Sequence, residues 1–311
     1  MQITNNILMI RPVSFRMNEQ TAVNNYFMED IDMKNQAINI KAQEEFDVFV
    51  STLKGKGVNV IVVNDTYEPD TPDSIFPNNW ISFHANGTVG VYPMYAENRR
   101  NERREDILEI LEEKGFIITE VIDYTSAEEE GIFLEGTGSI LLDRVNKKAY
   151  CALSERADDE LFIEFCEDFD CFPVIFTANQ SVDGKRLPIY HTNVMMALAE
   201  DFAIICSDTI DDKKERKNVL DHLKKDGREI ITITEQQMHH FAGNMLQVLG
   251  ADDKRYMVMS SAAYTSLTKE QITKIEKHCS ILHSSLSTIE TCGGGSARCM
   301  MAEVFLPKGT V

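Results

Sequence analysis

A five-bladed pseudo-fivefold α/β propeller of ββαβ units, closed by the N- and C-terminal segments, is the fold this sequence predicts. Three observations carry that expectation. A polar turn followed by an apolar run recurs at positions 76, 133, 189, 241 and 292, roughly every 50–57 residues; a period of that size marks a repeat architecture. Each of the first four recurrences is followed by the same series of strand, turn, strand, helix and strand. The fifth stops after one strand, and residues 7–63 supply the strand, helix and strand that it lacks. An open α/β sheet with coincidental spacing is the competing reading, and the N-terminal remainder that fits the gap disfavours it.

Residues 7–10, ILMI, read as a strand ending at Arg11-Pro12, and residues 14–34 as an irregular loop. Residues 35–53 carry Ala37, Ile38, Ala42, Phe46, Phe49, Val50 and Leu53 at helical spacing, closed by Lys54-Gly55-Lys56-Gly57. A strand at 58–63 follows.

The first full unit opens with Phe76-Pro77-Asn78-Asn79. Strands at 80–83 and 88–92 flank Asn86-Gly87, a strong short hairpin signal. A charged helix at 99–114 and a strand at 116–122 complete it. The second unit opens at Phe133, with Leu134-Glu135-Gly136 before strands at 139–142 and 148–153, a helix at 158–169 and a strand at 172–176. The third opens at Ile189, with His191-Thr192-Asn193 before strands at 194–198 and 202–206, a helix at 211–225 and a strand at 229–233. The fourth opens at Phe241, with Asn244 before strands at 245–249 and 256–260, a helix at 268–279 and a strand at 280–282. The fifth opens at Cys292, runs through Gly293-Gly294-Gly295 to Cys299, and continues as a strand at 300–306. No linker interrupts the series, so residues 1–311 are expected to be one domain.

Composition narrows the function classes. The chain has 311 residues, is 43% hydrophobic and 26% charged, and carries a formal charge of −19. Such acidity disfavours a nucleic-acid phosphate surface or an anionic membrane. No run of 18 apolar residues exists, and the first residues lack the basic and apolar regions of a signal peptide. Seven scattered cysteines without a CxxC pair fit free thiols in a reducing cytoplasm. No zinc-type spacing appears, His239-His240 is adjacent rather than i,i+4, and no nucleotide-binding glycine loop precedes a helix. No metal and no cofactor is therefore expected.

The repeat changes how the polar residues read. Asn79, Glu135, His191 with Asn193, Asn244 and Cys299 each stand at the start of a unit's first strand. Around a pseudo-fivefold axis those positions converge. A cysteine, a histidine and a glutamate would then share one pocket, as thiolate chemistry requires. Taken singly, His191 reads as a satisfied core histidine, Glu135 as a strand-end carboxylate and Cys299 as a small buried hydrophobe. Their common register favours the catalytic reading. Cys292 precedes the glycines rather than the strand. Cys151, Cys166, Cys171, Cys206 and Cys279 lie among apolar neighbours and read as packing residues.

Four motifs, one per unit, resemble the pentein superfamily of guanidine-modifying enzymes. Pro72-Asp73-Ser74-Ile75-Phe76 is similar to the Pro-Asp-Ser-Val-Phe segment of dimethylarginine hydrolases. Leu134-Glu135-Gly136 resembles the family's acidic-Gly-Gly segment, and His191-Thr192-Asn193 sits where the family has His-x-Asp. Gly293-Gly294-Gly295 with Cys299-Met300 resembles its nucleophile segment. The resemblance implies Cys299 as nucleophile, His191 as general acid and base, and Glu135 as the partner of the imidazole or of a substrate N–H. It implies substrate contacts at Asp73, Phe76, Asn79 and Asn193. Leu153-Ser154-Glu155-Arg156 is similar to a family stretch whose arginine binds the substrate carboxylate. For Arg156 that role and a solvated helix-start arginine stand level. Arg99 and Arg100 could be second clamps, but they read better as a charged helix face, and Asn244 reads as structural.

Two departures refine the expectation. Arginine-type relatives place carboxylates where this chain has Asn79 and Asn193. Those carboxylates grip a cationic guanidinium; an amide offers both a donor and an acceptor, which suits a neutral ureido group. The pattern resembles the citrulline-utilisation hydrolases. It implies release of ornithine, CO2 and ammonia through a carbamoyl thioester, with a protonated His191 supplying the positive charge that the substrate lacks. Competing readings are a deiminase, dimethylarginine hydrolase or amidinotransferase acting on a guanidino substrate, and a ring-shaped binding protein without catalysis. The expected partner is a small amino acid, with no nucleic acid and no membrane, and a homodimer is left open.

Overall fold

The computed structural model describes residues 1–29 and 31–309. Among these residues the strands form five three-stranded sheets and one two-stranded hairpin. In every three-stranded sheet the first strand pairs antiparallel with the second, and the second pairs parallel with the third. The parallel step needs a crossover, which is why a helix stands between the second and third strands of each unit.

The first unit's sheet is Ile81–Phe83, Thr88–Val91 and Glu120–Asp123, and the second's is Ile140–Asp143, Lys148–Leu153 and Phe172–Thr177. The third comprises Met196–Leu198, Phe202–Ile205 and Glu229–Thr232, and the fourth Leu246–Leu249, Arg255–Ser260 and Ser280–Ser284. The fifth joins the two ends of the chain. Ala302–Glu303 pairs antiparallel with Asn6–Arg11, which pairs parallel with Asn59–Asn64. The N-terminal segment thus completes the fifth unit, as expected. The sheets remain separate, and none closes on itself among the described residues.

The crossover helices follow their sequence signals. Asn35–Lys54 buries Ile38, Ala42, Phe46, Phe49, Val50 and Leu53 on one face. Asp159–Asp168 starts where the Asp158 side chain accepts from Leu161 N, and Lys213–Lys225 where Asp212 accepts from Lys214 N and Glu215 N. Both are aspartate N-caps that satisfy otherwise orphaned amides. Lys269–Glu276 opens with a capping box between Thr268 and Gln271. The middle strand of the third sheet is wholly interior: Phe202, Ala203, Ile204 and Ile205 are all fully buried.

First strands and the turns before them face their neighbours. Gly136–Ser139 packs on Ile81–Phe83, Met196–Leu198 on Ile140–Asp143, and Leu246–Leu249 on Met196–Leu198. The helix Asn35–Lys54 packs on Ser280–Ser284, and Ala302–Glu303 packs on Ile81–Phe83.

Several expectations are corrected. The helix expected at 99–114 is split into a 3-10 segment, Glu97–Glu102, and a helix, Asp106–Glu113, because Arg99 and Glu102 turn inward as a buried pair. The strand expected at 300–306 shrinks to Ala302–Glu303. Cys299 N donates to Ser296 O and Met301 N to Arg298 O, so residues 296–301 are spent on turns. The helix expected at 268–279 is present as Lys269–Glu276, and a further helix not expected, Ser261–Ser266, precedes it. The loop expected at 14–34 contains a short helix, Glu19–Ala22, capped by Asn18; residue 30 lies outside the described residues. A hairpin not expected, Asn179–Val182 with Lys185–Pro188, turns at Asp183-Gly184, both with positive φ.

Candidate active site

One local device is repeated at the start of every unit. A single tight turn precedes the first strand and points a polar side chain inward. The turns are Pro77–Asn79, Gly136–Ser139 and Thr192–Met195, then the turns closed by Asn244 N to Phe241 O and Cys299 N to Ser296 O. Asn79, Asn244 and Cys299 end their turns, whereas Glu135 and His191 stand just before theirs. The strands therefore begin one or more residues later than the apolar pattern suggests.

These side chains meet in the interior. Cys299, His191 and Asn79 line one cavity with Asp73, Phe76, Arg99 and Arg156. The cavity offers about 10 Å3, room for roughly one water molecule. Gly138 permits the convergence, because a Cβ there would stand 2.4 Å from Asn79 Nδ2 and 2.8 Å from His191 Nδ1.

His191 Nε2 lies 2.7 Å from Glu135 Oε2, and both residues are buried. Tyr95 N donates to Glu135 Oε1 at 3.0 Å, and Arg156 Nη1 stands 3.6 Å from Oε2. Burial alone would raise the Glu135 pKa. The Arg156 charge, the His191 bond and the more distant Arg99 outweigh it and hold the carboxyl at about 2. Burial pushes His191 down to about 4 despite its bond to Glu135, with Arg156 and Arg99 adding to the fall. At neutral pH the pair is a carboxylate and a neutral imidazole. The direction of these shifts runs against a resting imidazolium.

Cys299 is 3% exposed. Its Sγ lies 3.2 Å from Asn244 Nδ2 and 3.5 Å from Asn193 Nδ2. Asn79 Oδ1 accepts from Arg99 Nη1 at 2.8 Å, while Asn79 Nδ2 donates to Asn78 Oδ1 at 3.2 Å. Arg99 is gripped by both oxygens of Glu102 at 2.9 Å and donates to Phe76 O at 3.2 Å. Burial raises Glu102 to about 7, against the pull of Arg99.

Asp73 Oδ2 accepts from Asn18 Nδ2 at 2.8 Å and Thr21 Oγ1 at 3.1 Å, while its Oδ1 is buried without a partner among the described residues. The ring of Phe76 lies against Gly293 and Gly295, where a Cβ would come within 2.9 and 2.8 Å of it. Those glycines are a packing requirement of the phenylalanine.

Residues 18–29 cover the cavity. Arg156 Nε donates to Asn24 Oδ1 at 3.0 Å, and Arg156 Nη2 to Thr21 O at 2.9 Å and also to Asn24 Oδ1. Asn25 Nδ2 donates to the carbonyls of Gly293 and Gly294, and Tyr190 OH to Gly294 O at 2.7 Å. Gly294 adopts φ +60, and a Cβ would strike Asn25 at 2.4 Å.

All eight residues singled out from sequence gather here: Cys299, His191, Glu135, Asn79, Asn193, Asp73, Phe76 and Arg156. Of the two readings of Arg156, the solvated one is excluded, since it is 2% exposed. Two readings are overturned. Arg99 is not part of a solvated helix face, and Asn244 reaches the cysteine sulfur. For Asn244 the signal was present, because it occupies the same step of its unit as Cys299. For Arg99 the only hint was negative: residues 97–102 lack the apolar positions of a surface helix. The covering residues 18–29 had none. Cys151, Cys166 and Cys206 are buried, and burial pushes each thiol pKa up, as expected of packing cysteines. Among the described residues no three His, Cys, Asp or Glu side chains are grouped to hold a metal ion, and no helix is long and apolar enough to cross a membrane.

A family model described as N,N dimethylarginine dimethylhydrolase, eukaryotic, matches residues 11–306. No curated protein matches the chain by sequence. Among solved structures, apo ArgZ, an arginine dihydrolase from the ornithine-ammonia cycle in cyanobacteria, is 20% identical with a TM-score of 0.73; the match covers 98% of this chain and 42% of that one. The chain therefore spans less than half of that protein. It corresponds to the ArgZ N-terminal domain, which in its substrate-bound form is 19% identical with a TM-score of 0.71, covering 97% of this chain and 99% of that one. A dimethylarginine dimethylaminohydrolase in an adduct with S-methyl-L-thiocitrulline is 14% identical with a TM-score of 0.64, covering 97% and 99%. At such identities the likeness carries the fold.

Proposed function

Since this chain belongs to the pentein superfamily of guanidino-modifying enzymes, within the dimethylarginine dimethylhydrolase family of C–N hydrolases, we propose that it hydrolyses the ureido group of citrulline or a close analogue. The observation that carries this reading is the Arg99 to Asn79 hydrogen bond. It occupies the Asn79 carbonyl and leaves the NH2 group, which spends one of its two hydrogens on Asn78 Oδ1, as the end available to a ligand. A donor at that position suits a ureido oxygen. A cationic guanidinium would instead meet an N–H group backed by an arginine.

In the reaction, Cys299 Sγ attacks the ureido carbon while its proton passes to His191. Glu135 steadies the imidazolium that forms. His191 returns the proton to the leaving amine and ornithine departs, leaving a carbamoyl thioester on Cys299. Water, deprotonated by His191, cleaves the thioester; carbamate is released and decomposes to CO2 and ammonia. Arg156 would take the substrate carboxylate in the fork now holding Asn24 Oδ1. The free oxygen of Asp73 would take its ammonium group. The cavity is closed in this form, so residues 18–29 must lift for substrate to enter.

The same reading treats the five sheets as blades of a pseudo-fivefold ring, supported by the contacts between successive units and between the fifth and the first. The scattered cysteines support a cytoplasmic setting. A guanidino substrate is the second reading, favoured by the unpartnered Asp73 oxygen, which could equally accept from a guanidinium.

The test is an assay of purified protein with citrulline, arginine, agmatine and methylated arginines, measuring ornithine, citrulline and ammonia. Ornithine and ammonia from citrulline, with little turnover of arginine, are expected. Conversion of arginine to citrulline with no consumption of citrulline would overturn the proposal.

A further inference from the structure

Cys299 faces a particular demand on the ureido reading. A neutral substrate brings no positive charge to the sulfur, and His191 rests neutral beside it. The sulfur does have two amide donors, Asn244 Nδ2 at 3.2 Å and Asn193 Nδ2 at 3.5 Å. A hydrogen bond to an anion is worth more than one to a neutral acceptor, so such donors favour thiolate over thiol.

The Asn244 amide is held by two further bonds. Its Oδ1 accepts from Arg298 N at 3.0 Å, and its Nδ2 also donates to Asn193 O at 3.1 Å. With Oδ1 engaged by the residue before the nucleophile, only the NH2 end can face the sulfur. Asn244 is 2% exposed, so water does not compete for the contact. Asn193 presents both ends of its amide to the sulfur, since its Oδ1 also accepts from Cys299 Sγ at 3.9 Å.

We propose that Asn244 is a catalytic residue whose Nδ2 donates to Cys299 Sγ and stabilises the thiolate, in the part that a cationic substrate would otherwise play. The need for such a donor rests on the ureido reading; the contact itself does not.

The test is a titration of substrate-free, intact protein by ultraviolet thiolate absorbance. Subtracting the Cys299→Ser signal isolates Cys299 from the other six cysteines. The same subtraction is made in an Asn244→Ser background. The midpoint of thiolate formation is expected to rise by about one unit or more, roughly a tenfold loss of thiolate below the midpoint. A purely structural Asn244 would lower the melting temperature and leave the midpoint in place, which overturns the proposal. Should Asn244→Ser not fold, Asn244→Asp keeps the acceptor for Arg298 N, and an unmoved midpoint there is equally fatal. A shifted midpoint in a protein that ignores citrulline would sink the substrate reading alone. Brisk citrulline turnover with an unshifted midpoint would sink this proposal alone.

Discussion

Arg99 Nη1 donates to Asn79 Oδ1 at 2.8 Å, and that bond decides which end of the Asn79 amide a ligand can meet. Asn79→Asp would keep an acceptor for Arg99 but turn a second carboxylate oxygen toward the cavity in place of the NH2 group. We expect ornithine release from citrulline to fall by about 100-fold or more, the order expected for loss of one preorganised donor. Arginine binding should strengthen in the same variant. Steady-state kinetics on both substrates checks it, and unchanged citrulline turnover would remove the donor argument.

The Glu135 and His191 pair predicts a pH profile. In the proposed reaction only neutral His191 can take the proton of Cys299, and burial lowers its pKa to about 4. The acid limb of kcat/KM should therefore fall near pH 4 rather than in the ordinary histidine range. Glu135 raises the His191 pKa, so Glu135→Gln should move the limb to lower pH. Turnover should drop by roughly 100-fold or more, because the transient imidazolium loses its partner. A limb that moves to higher pH would show that the charge order has been misread.

Arg156 engages Asn24, the carbonyl of Thr21 and the charge of Glu135 together. Arg156→Lys keeps the charge and loses the fork. KM for citrulline should rise by about tenfold or more, with a smaller fall in kcat, as expected if the fork holds the substrate carboxylate. A kcat effect alone, with KM unchanged, would assign Arg156 to Glu135 rather than to the substrate.

Glu290 predicts a stability change with a definite sign. It is buried, its Oε1 accepts from Ser296 Oγ at 2.6 Å, and burial raises its pKa from 4.5 to about 7. A group whose folded pKa is raised contributes stability that is complete below the unfolded value. Here that stability is lost as pH rises from about 4.5 through about 7. Glu290→Gln should therefore match wild type near pH 4 and exceed it at pH 8, by about 3 kcal/mol. Chemical denaturation at the two pH values reads it directly. Equal stability at both would mean that the buried carboxyl is not penalised when it ionises.

The site was legible in sequence where the repeat made positions equivalent. Glu135, His191 and Cys299 are 56 and 108 residues apart, and only their step within the ββαβ unit links them. That step also marks Asn244, whose contact with Cys299 was hidden because an asparagine by itself announces no chemistry. Arg99 was not legible. Its i,i+3 pairing with Glu102 has the form of an ordinary surface salt bridge, and only tertiary packing turns both side chains inward. The turns were missed for a related reason. One helical turn before a strand is too short to leave a 3.6-residue period, so the apolar run claims those residues. Residues 18–29 are specified by side-chain bonds to Arg156, Asp73 and the Gly293 and Gly294 carbonyls, none of which leaves a local pattern.

The strand that follows Cys299 pairs with the strand at Asn6–Arg11, so Ile7 and Leu8 meet Glu303 and Ala302 from some 295 residues away in sequence. Closing so long a loop comes at an entropic cost that local contacts cannot offset early. On a ribosome the strand at Asn6–Arg11 must wait for residues 302–303 to be synthesised before its sheet is complete. Cys299 is thus brought into place by a long-range closure. Until that sheet has closed, the chain holds His191, Glu135, Asn79, Asn193 and Asn244 with no Cys299 poised beside them.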